Sequence, residues 1–342
     1  MTTSLNGKVF TSANTALLDK SRVPTLVGKE AKERASYLYR ILTQSTIPLY
    51  LIGDSGTGKT MTMLTLLKAY SDKYQVPAFY FQLAPEDTKT SVFMGLRPMN
   101  GSMIPVDGIM AIAASENGIV GIDEVTHSTQ SMLLMLNALD GVNSTIAIGD
   151  RSVDASGLKV IYGSNMSNVG GNIRIPATWA NRVLGIPFGY PNFEDEVEIS
   201  KAAAKSKFKG LLTVPDSVYK FIASFAIATR TSDWPLSSRN ISHAIVMCEL
   251  ERKRNATMDS YFSKGNQDAL RKIITERILG KAIDDVAIMQ NPEILDFLKY
   301  VSSIGVERFR EIIKIAFNFY VDLDGTELTG TSQRQKMISG II

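Results

Sequence analysis

The chain has one cysteine, Cys248, and only two histidines, His127 and His243. A lone thiol excludes an internal disulfide, and one Cys with two scattered His cannot assemble a structural zinc site. No apolar run approaches the roughly 18 residues that a membrane-spanning helix needs. Charge of one sign is scarce as well. The 37 Lys and Arg against 34 Asp and Glu leave a net charge of only +3, too small to mark a nucleic-acid binder. The opening MTTSLNGKVF lacks the basic-then-apolar pattern of a secretory leader, so a cytoplasmic location is the expectation.

What is present is ordinary globular composition, 44% hydrophobic and 21% charged over 342 residues, enough for one large domain and a smaller one. Residues 1–22 are polar and aperiodic and read as an arm. Helical spacing over 29–44 follows, and then buried-strand runs at 47–52, 78–83, 119–122 and 159–162, with a weaker fifth at 184–188. Helical stretches at 59–70, 106–117 and 128–139 alternate with them. Such alternation predicts a parallel sheet with helices on both faces. From residue 192 onward helical periodicity takes over, at 194–204, 216–228, 238–252, 268–279 and 306–320. The domain reading is therefore an arm at 1–22, a nucleotide-binding α/β domain at 23–191, and a helical lid with a C-terminal extension at 192–342. The tail over 322–342 has little periodicity.

The first strand runs into Gly53-Asp54-Ser55-Gly56-Thr57-Gly58-Lys59-Thr60. This satisfies G-x-x-x-x-G-K-[ST] with a strand before and a helix after, the context that defines a phosphate-binding loop. The glycines let backbone N–H groups turn inward toward phosphate oxygens, and the helix N-terminus faces the same anion. Lys59 is placed to reach the β- and γ-phosphates, and the Thr60 hydroxyl to coordinate Mg²⁺. The whole loop, with Met61 one step into the helix, is the predicted nucleotide cradle.

The run Gly118-Ile119-Val120-Gly121-Ile122-Asp123-Glu124 is an apolar strand ending in two acids. A parallel strand delivers its C-terminal residues to the ligand crevice. Asp123 is read as the Mg²⁺ holder and Glu124 as the base that polarises the attacking water. A helix start also favours acids, and it is the phosphate loop that decides between the two readings.

With these motifs the chain resembles the MoxR-type AAA+ ATPases, including the cobaltochelatase small-subunit branch. Val27-Gly28-Lys29-Glu30 is similar to the family's VGQE loop near the adenine, which implies nucleotide contacts for Val27 and Gly28. Tyr162-Gly163-Ser164-Asn165 ends a strand where the family carries its sensor-1 Asn, although Asn-Met-Ser-Asn is also good turn chemistry. Arg182, in Ala177-Thr178-Trp179-Ala180-Asn181-Arg182, stands where the family has an arginine finger that acts on a neighbouring subunit's phosphate; a surface arginine ending a short helix is the plainer alternative. Arg239, in Pro235-Leu236-Ser237-Ser238-Arg239, matches the sensor-2 arginine of the lid, with a solvated or carboxylate-paired arginine as the alternative. The resemblance covers about residues 24–252. It implies a P-loop AAA+ αβα sandwich followed by an all-α lid, ATP and Mg²⁺ as cofactors, and a ring, expected to be a hexamer. It also implies remodelling or maturation of a partner, in some relatives beside a von Willebrand A domain protein.

Asn100-Gly101 is a strong two-residue hairpin signal, so 96–104 is read as a hairpin, facing substrate or partner if the resemblance holds, with an ordinary surface loop as the equal alternative. A second hairpin is expected over 143–153, where Arg151 could contact a neighbouring subunit. Met132, Leu133, Met135, Leu136 and Leu139 read as a core face rather than a methionine-rich binding site, and Cys248 as buried and inert. Glu251-Arg252-Lys253-Arg254 reads as a solvated helix end. Two other functions compete with the remodelling machine: a DNA-associated AAA+ motor or regulator, and a nucleotide-gated scaffold with little turnover. The low net charge weighs against the first, and Glu124 against the second.

Overall fold

The computed structural model describes residues 4–5, 8–9, 16–83, 92–99, 102–139, 144–148, 151–165, 175–228, 230, 236–255 and 292–316. The helix expected over 268–279 and the tail over 322–342 lie outside the described residues. The chain divides into two compact units, Met1–Pro191 and Asn192–Ile342.

The first unit begins with β1 (Ser4–Leu5), β2 (Lys8–Val9), α1 (Lys29–Gln44), β3 (Leu49–Gly53), α2 (Lys59–Tyr74) and β4 (Ala78–Gln82). It continues through β5 (Met94–Met99), β6 (Ser102–Asp107), α3 (Ile109–Ser115), β7 (Ile119–Asp123) and α4 (Gln130–Leu136). It ends with β8 (Thr145–Ile148), β9 (Arg151–Asp154), β10 (Lys159–Ser164), α5 (Ala177–Ala180) and β11 (Leu184–Phe188). Five strands form one parallel sheet in the order β11-β3-β10-β7-β4. The strand order reverses beside β3, and ligands bind at such a switch point, outside the carboxyl ends of the strands.

Side chains alternate across the sheet, so each strand feeds two cores. Leu49, Leu51, Ile119 and Ile161 pack on Leu38 and Leu42 of α1 and on Met63, Leu66 and Leu67 of α2. Tyr50, Val120, Ile122, Val160 and Tyr162 pack on α3, on Met132, Leu133 and Leu136 of α4, and on Trp179. Burial on both faces is why these strands read as unbroken apolar runs. Gly121 sets the seating of α2, because a Cβ there would come within 2.8 Å of Leu67 and Met63. Each fully buried Leu or Ile contributes roughly 1.5–3 kcal/mol.

Both sequence-predicted hairpins form. β5 pairs antiparallel with β6, with Met99 opposite Ser102. β8 pairs antiparallel with β9. The helix expected over 106–117 is shorter because its first residues belong to β6, and Gly108 separates strand from helix. The one expected over 128–139 is α4 followed by a 3-10 turn at Asn137–Leu139, its start capped by the Thr129 hydroxyl accepting from the Met132 N–H at 3.2 Å. The arm read over 1–22 is not free along its whole length. Ala16 is buried, Leu17 bridges Phe79, and the Leu18 N–H donates to the Ala78 carbonyl at 2.8 Å, so this stretch covers the edge strand β4.

The second unit comprises α6 (Phe193–Lys207), α7 (Asp216–Ala228), α8 (Ser238–Asn255), α9 (Pro292–Ile304) and α10 (Val306–Ala316). Its core joins Val218, Ile222 and Phe225 of α7 to Ile241, Ile245 and Cys248 of α8, with Val301, Phe309 and Ile312 from the last two helices. Cys248 is fully buried, and burial pushes its thiol well above the ordinary range. Gly305, at φ 92°, turns the chain between α9 and α10, a conformation that disfavours any side chain. The helix expected over 306–320 is described as far as Ala316.

The charged end of α8 is not simply solvated. Arg308 of α10 reaches Glu251 at 3.4 Å. Glu249 is fully buried, yet it accepts from Arg252 at 3.1 Å, from the Thr213 hydroxyl at 3.0 Å and from the Tyr300 hydroxyl at 3.3 Å. Burial raises the Glu249 carboxyl, but the bonds from Arg252 and Thr213 outweigh it and the net displacement is downward. Glu249→Ala should therefore cost about 3 kcal/mol in chemical denaturation, since it removes one buried acceptor shared by Arg252, Thr213 and Tyr300. The same sign makes this contribution present above the unfolded-state carboxylate range and lost as pH falls through the lower folded-state value.

Candidate functional site

The site grows from the carboxyl ends of β3, β7 and β10. At the end of β3, Gly53 lies so close to β11 that a Cβ would sit 2.2 Å from the Phe188 carbonyl oxygen. Its glycine is thus required by strand packing, whereas Gly56 and Gly58 are required by backbone conformation, with φ 83° and 91°. The loop then hands over to α2, whose first N–H groups have no partner within the helix and face outward.

Lys59 opens α2 and is buried. Its ammonium donates to the carbonyls of Gly53 and Asp54, both at 2.8 Å, and to Asn165 Oδ1 at 3.1 Å. That employs all three of its donors. Burial pulls its pKa down, opposed by the charges of Asp123, Glu124 and Asp54. Thr60 donates its hydroxyl to Asp123 Oδ2 at 2.6 Å. Asp123 is 2% exposed, and its Oδ1 accepts from the Glu124 N–H at 3.0 Å. Gly163 on β10 makes room for this carboxylate, because a Cβ there would lie 2.5 Å from Oδ1.

Glu124 has left-handed backbone geometry, φ 54° and ψ 38°. A non-glycine residue in that region carries strain of about 1–3 kcal/mol, which persists only where the surroundings fix it. Both of its carboxylate oxygens accept from Asn165 Nδ2, at 3.0 and 3.1 Å, and His127 Nε2 lies 3.7 Å from Oε2. Asn165 follows the end of β10, which Tyr50 ties down through a 2.6 Å hydroxyl contact with Ser164. Its amide therefore bridges the cation of the loop to the acid that follows β7.

Of the other sequence-predicted residues, Thr57 is buried and closes the loop by donating to the Asp54 carbonyl at 2.9 Å. Ser55 is exposed and its carbonyl accepts from Tyr190 at 3.4 Å, while Asp54 and Met61 are half-buried. Val27 is half-buried. Gly28 is buried at φ 94°, and its carbonyl accepts from Lys32 at 3.2 Å to start α1. Arg182 is exposed just after α5, with Nη1 donating to the Asn137 carbonyl at 3.0 Å. Arg239 is exposed in the first turn of α8, in the second unit, where its charge bears on Lys207 and His243. The structure thus brings Lys59, Thr60, Asp123, Glu124 and Asn165 together in one crevice. Sequence reasoning missed Tyr80 and Gln82. The Tyr80 hydroxyl donates to Asp123 Oδ2 at 3.2 Å and accepts from Gln82 at 3.3 Å, and burial followed by the Asp123 charge pushes it up to about 12. Two polar side chains in an otherwise apolar strand were the available signal.

Among the described residues no group of three or more His, Cys, Asp or Glu could hold a metal. Mg²⁺ does not require one, since it is commonly held by one or two carboxylates together with phosphate oxygens and water. Thr60 and Asp123, two hard oxygen donors already 2.6 Å apart, fit that pattern. No helix among the described residues is long and apolar enough to cross a membrane.

Comparison with known proteins finds a family match to part of the first unit. The family profile described as the AAA domain (dynein-related subfamily) matches residues 48–168. Among solved structures, NtrX from Brucella abortus in complex with ADP is similar at 16% identity and TM-score 0.48, over 87% of this chain and 65% of that one. The S. cerevisiae Hsp104:casein complex in its extended conformation is similar at 15% identity and TM-score 0.46, over 68% of this chain and 45% of that one. The chain thus spans less than two thirds of either protein's length. A search of curated proteins gave no match. With its loop, its acidic strand end and four of the five strands of its parallel sheet inside the matched region, the chain carries an AAA domain over residues 48–168.

Proposed function

We propose that this chain is an ATP-hydrolysing AAA+ machine of the MoxR type, which uses the hydrolysis cycle to remodel or mature a partner protein. The observation that carries the reading is the Asn165 amide, spanning from the Lys59 ammonium to the Glu124 carboxylate beside the Thr60–Asp123 pair. One buried cation, one hydroxyl–carboxylate pair, one acid and one amide on adjacent strand ends are the parts that phosphoryl transfer to water needs. Lys59 and the loop N–H groups would bind the phosphates of ATP, and Thr60 with Asp123 would hold Mg²⁺. Magnesium, when bound, neutralises charge that develops on the transferring phosphoryl group. Glu124 would accept the proton of the attacking water, and Asn165 would orient that water once its amide leaves the carboxylate.

The exposed Arg182 supports a shared site, in which it reaches the phosphates bound by a neighbouring copy in a ring, by resemblance a hexamer. Arg239 would serve as the lid's phosphate sensor. The hairpin β5–β6 would face the substrate or partner, and by the same resemblance that partner belongs with von Willebrand A domain proteins. Hydrolysis per subunit, measured across a wide range of protein concentrations, tests the shared site. It should rise steeply as subunits assemble, and a flat, nonzero profile would mean that each subunit is self-sufficient. Arg182→Ala should lose about 1,000-fold or more in turnover while still binding nucleotide, as arginine-finger losses do. Mixing it with Lys59→Ala should restore part of the activity; no recovery at any mixing ratio would count against action in trans.

A further inference from the structure

Asp123 is held by three donors, and only two of them follow from the motifs. The Glu124 N–H occupies Oδ1 at 3.0 Å, and the Thr60 hydroxyl occupies Oδ2 at 2.6 Å. The third comes from a different strand. β4 runs parallel to β7 with Tyr80 opposite Gly121 and Gln82 opposite Asp123, so Tyr80 shares a face with Asp123. On that shared face the Tyr80 hydroxyl reaches Asp123 Oδ2 at 3.2 Å. Gln82 Nε2 donates to the same hydroxyl at 3.3 Å, which leaves the phenol proton to the carboxylate. The strand end is pinned as well, since the Leu83 N–H donates to the Asp123 carbonyl at 3.0 Å.

The geometry points to Tyr80 as a positioning residue that orients the Asp123 carboxylate for Mg²⁺, with Gln82 as its brace. This inference rests on the ATPase reading above. The hydroxyl of Thr60 has a second task in that reading, as a metal ligand, whereas the hydroxyl of Tyr80 has none. Tyr80 is therefore the donor whose sole role at Asp123 is to fix the rotation of the carboxylate. Groups that orient a metal's ligands commonly change metal affinity when removed, without contacting the metal themselves. Tyr80→Phe deletes the donor and keeps the ring that packs beside α2.

The test is equilibrium binding of a fluorescent ATP analogue to the full chain, titrated with Mg²⁺ and repeated in EDTA. For Tyr80→Phe the half-saturating Mg²⁺ concentration should rise about 10-fold, the low end of such effects because two other donors remain. Affinity in EDTA and the thermal midpoint should stay at the wild-type values. An unchanged Mg²⁺ requirement would overturn the inference, and so would equal weakening with and without Mg²⁺, which would mark Tyr80 as a packing residue only. Gln82→Leu provides a second reading, with a smaller shift in the same direction expected and no shift counting against the brace. Wild-type protein that bound no nucleotide in either condition would overturn the ATPase reading itself, a failure distinct from one confined to the variants.

Discussion

Glu124→Gln should bind ATP with wild-type affinity and hydrolyse it at least about 100-fold more slowly, the usual loss when a positioned general base is removed. Glutamine preserves the shape of the side chain and can still meet the Asn165 amide, through its carbonyl oxygen. What it loses is the ability to take a proton. Since Glu124 accepts from Asn165 at both oxygens and lies beyond the phosphate loop's own hydrogen bonds, the substitution should leave the Lys59 contacts in place. Bound but unhydrolysed ATP would also stabilise whatever assembly the nucleotide favours, so the variant should migrate as a larger species than wild type in gel filtration with ATP. Normal turnover by Glu124→Gln would place the base elsewhere.

Lys59→Ala should fail one step earlier. The ammonium is buried and held by two loop carbonyls and Asn165, so its position is preset before any ligand arrives. Removing one partner of a buried, hydrogen-bonded charge pair costs roughly 2–5 kcal/mol, which weakens ATP binding by about 30- to 5,000-fold. Binding of a labelled ATP analogue measures this directly, and unchanged affinity would remove the phosphate loop from the account. The two variants separate cleanly, because one binds without turning over and the other does not bind at comparable concentrations.

The parts of the site that sequence made legible are those whose chemistry lies in contiguous residues. The loop from Gly53 to Thr60 and the pair Asp123-Glu124 each sit at the end of one strand, and strand ends in a parallel sheet converge. Asn165 required only that a further strand end beside them, and β10 does, between β3 and β7. Tyr80 was not legible, since its role depends on β4 pairing with β7 in one register, and periodicity does not say which strands are neighbours. The role of Gly53 was misjudged for the same reason. Its close approach is to Phe188, 135 positions away in sequence but opposite it in the sheet.

In the second unit, helices at 216–228 and from 238 were readable from spacing alone, and Cys248 from its apolar helix face. The pairing of Glu251 with Arg308 was not, since a charge run at a helix end looks solvated until a second helix packs against it. The segment Ala16–Leu18 shows the same limit at the other end of the chain. Three small or apolar residues carry no period, yet an unpaired strand edge gives them a place.

The most direct test of the central claim is phosphate release from Mg²⁺-ATP by the purified chain, measured beside Glu124→Gln at the same protein concentration. The account expects steady release by wild type and at most about one hundredth of that rate from the variant. Equal rates from the two proteins, or no release by wild type at any concentration, would contradict it.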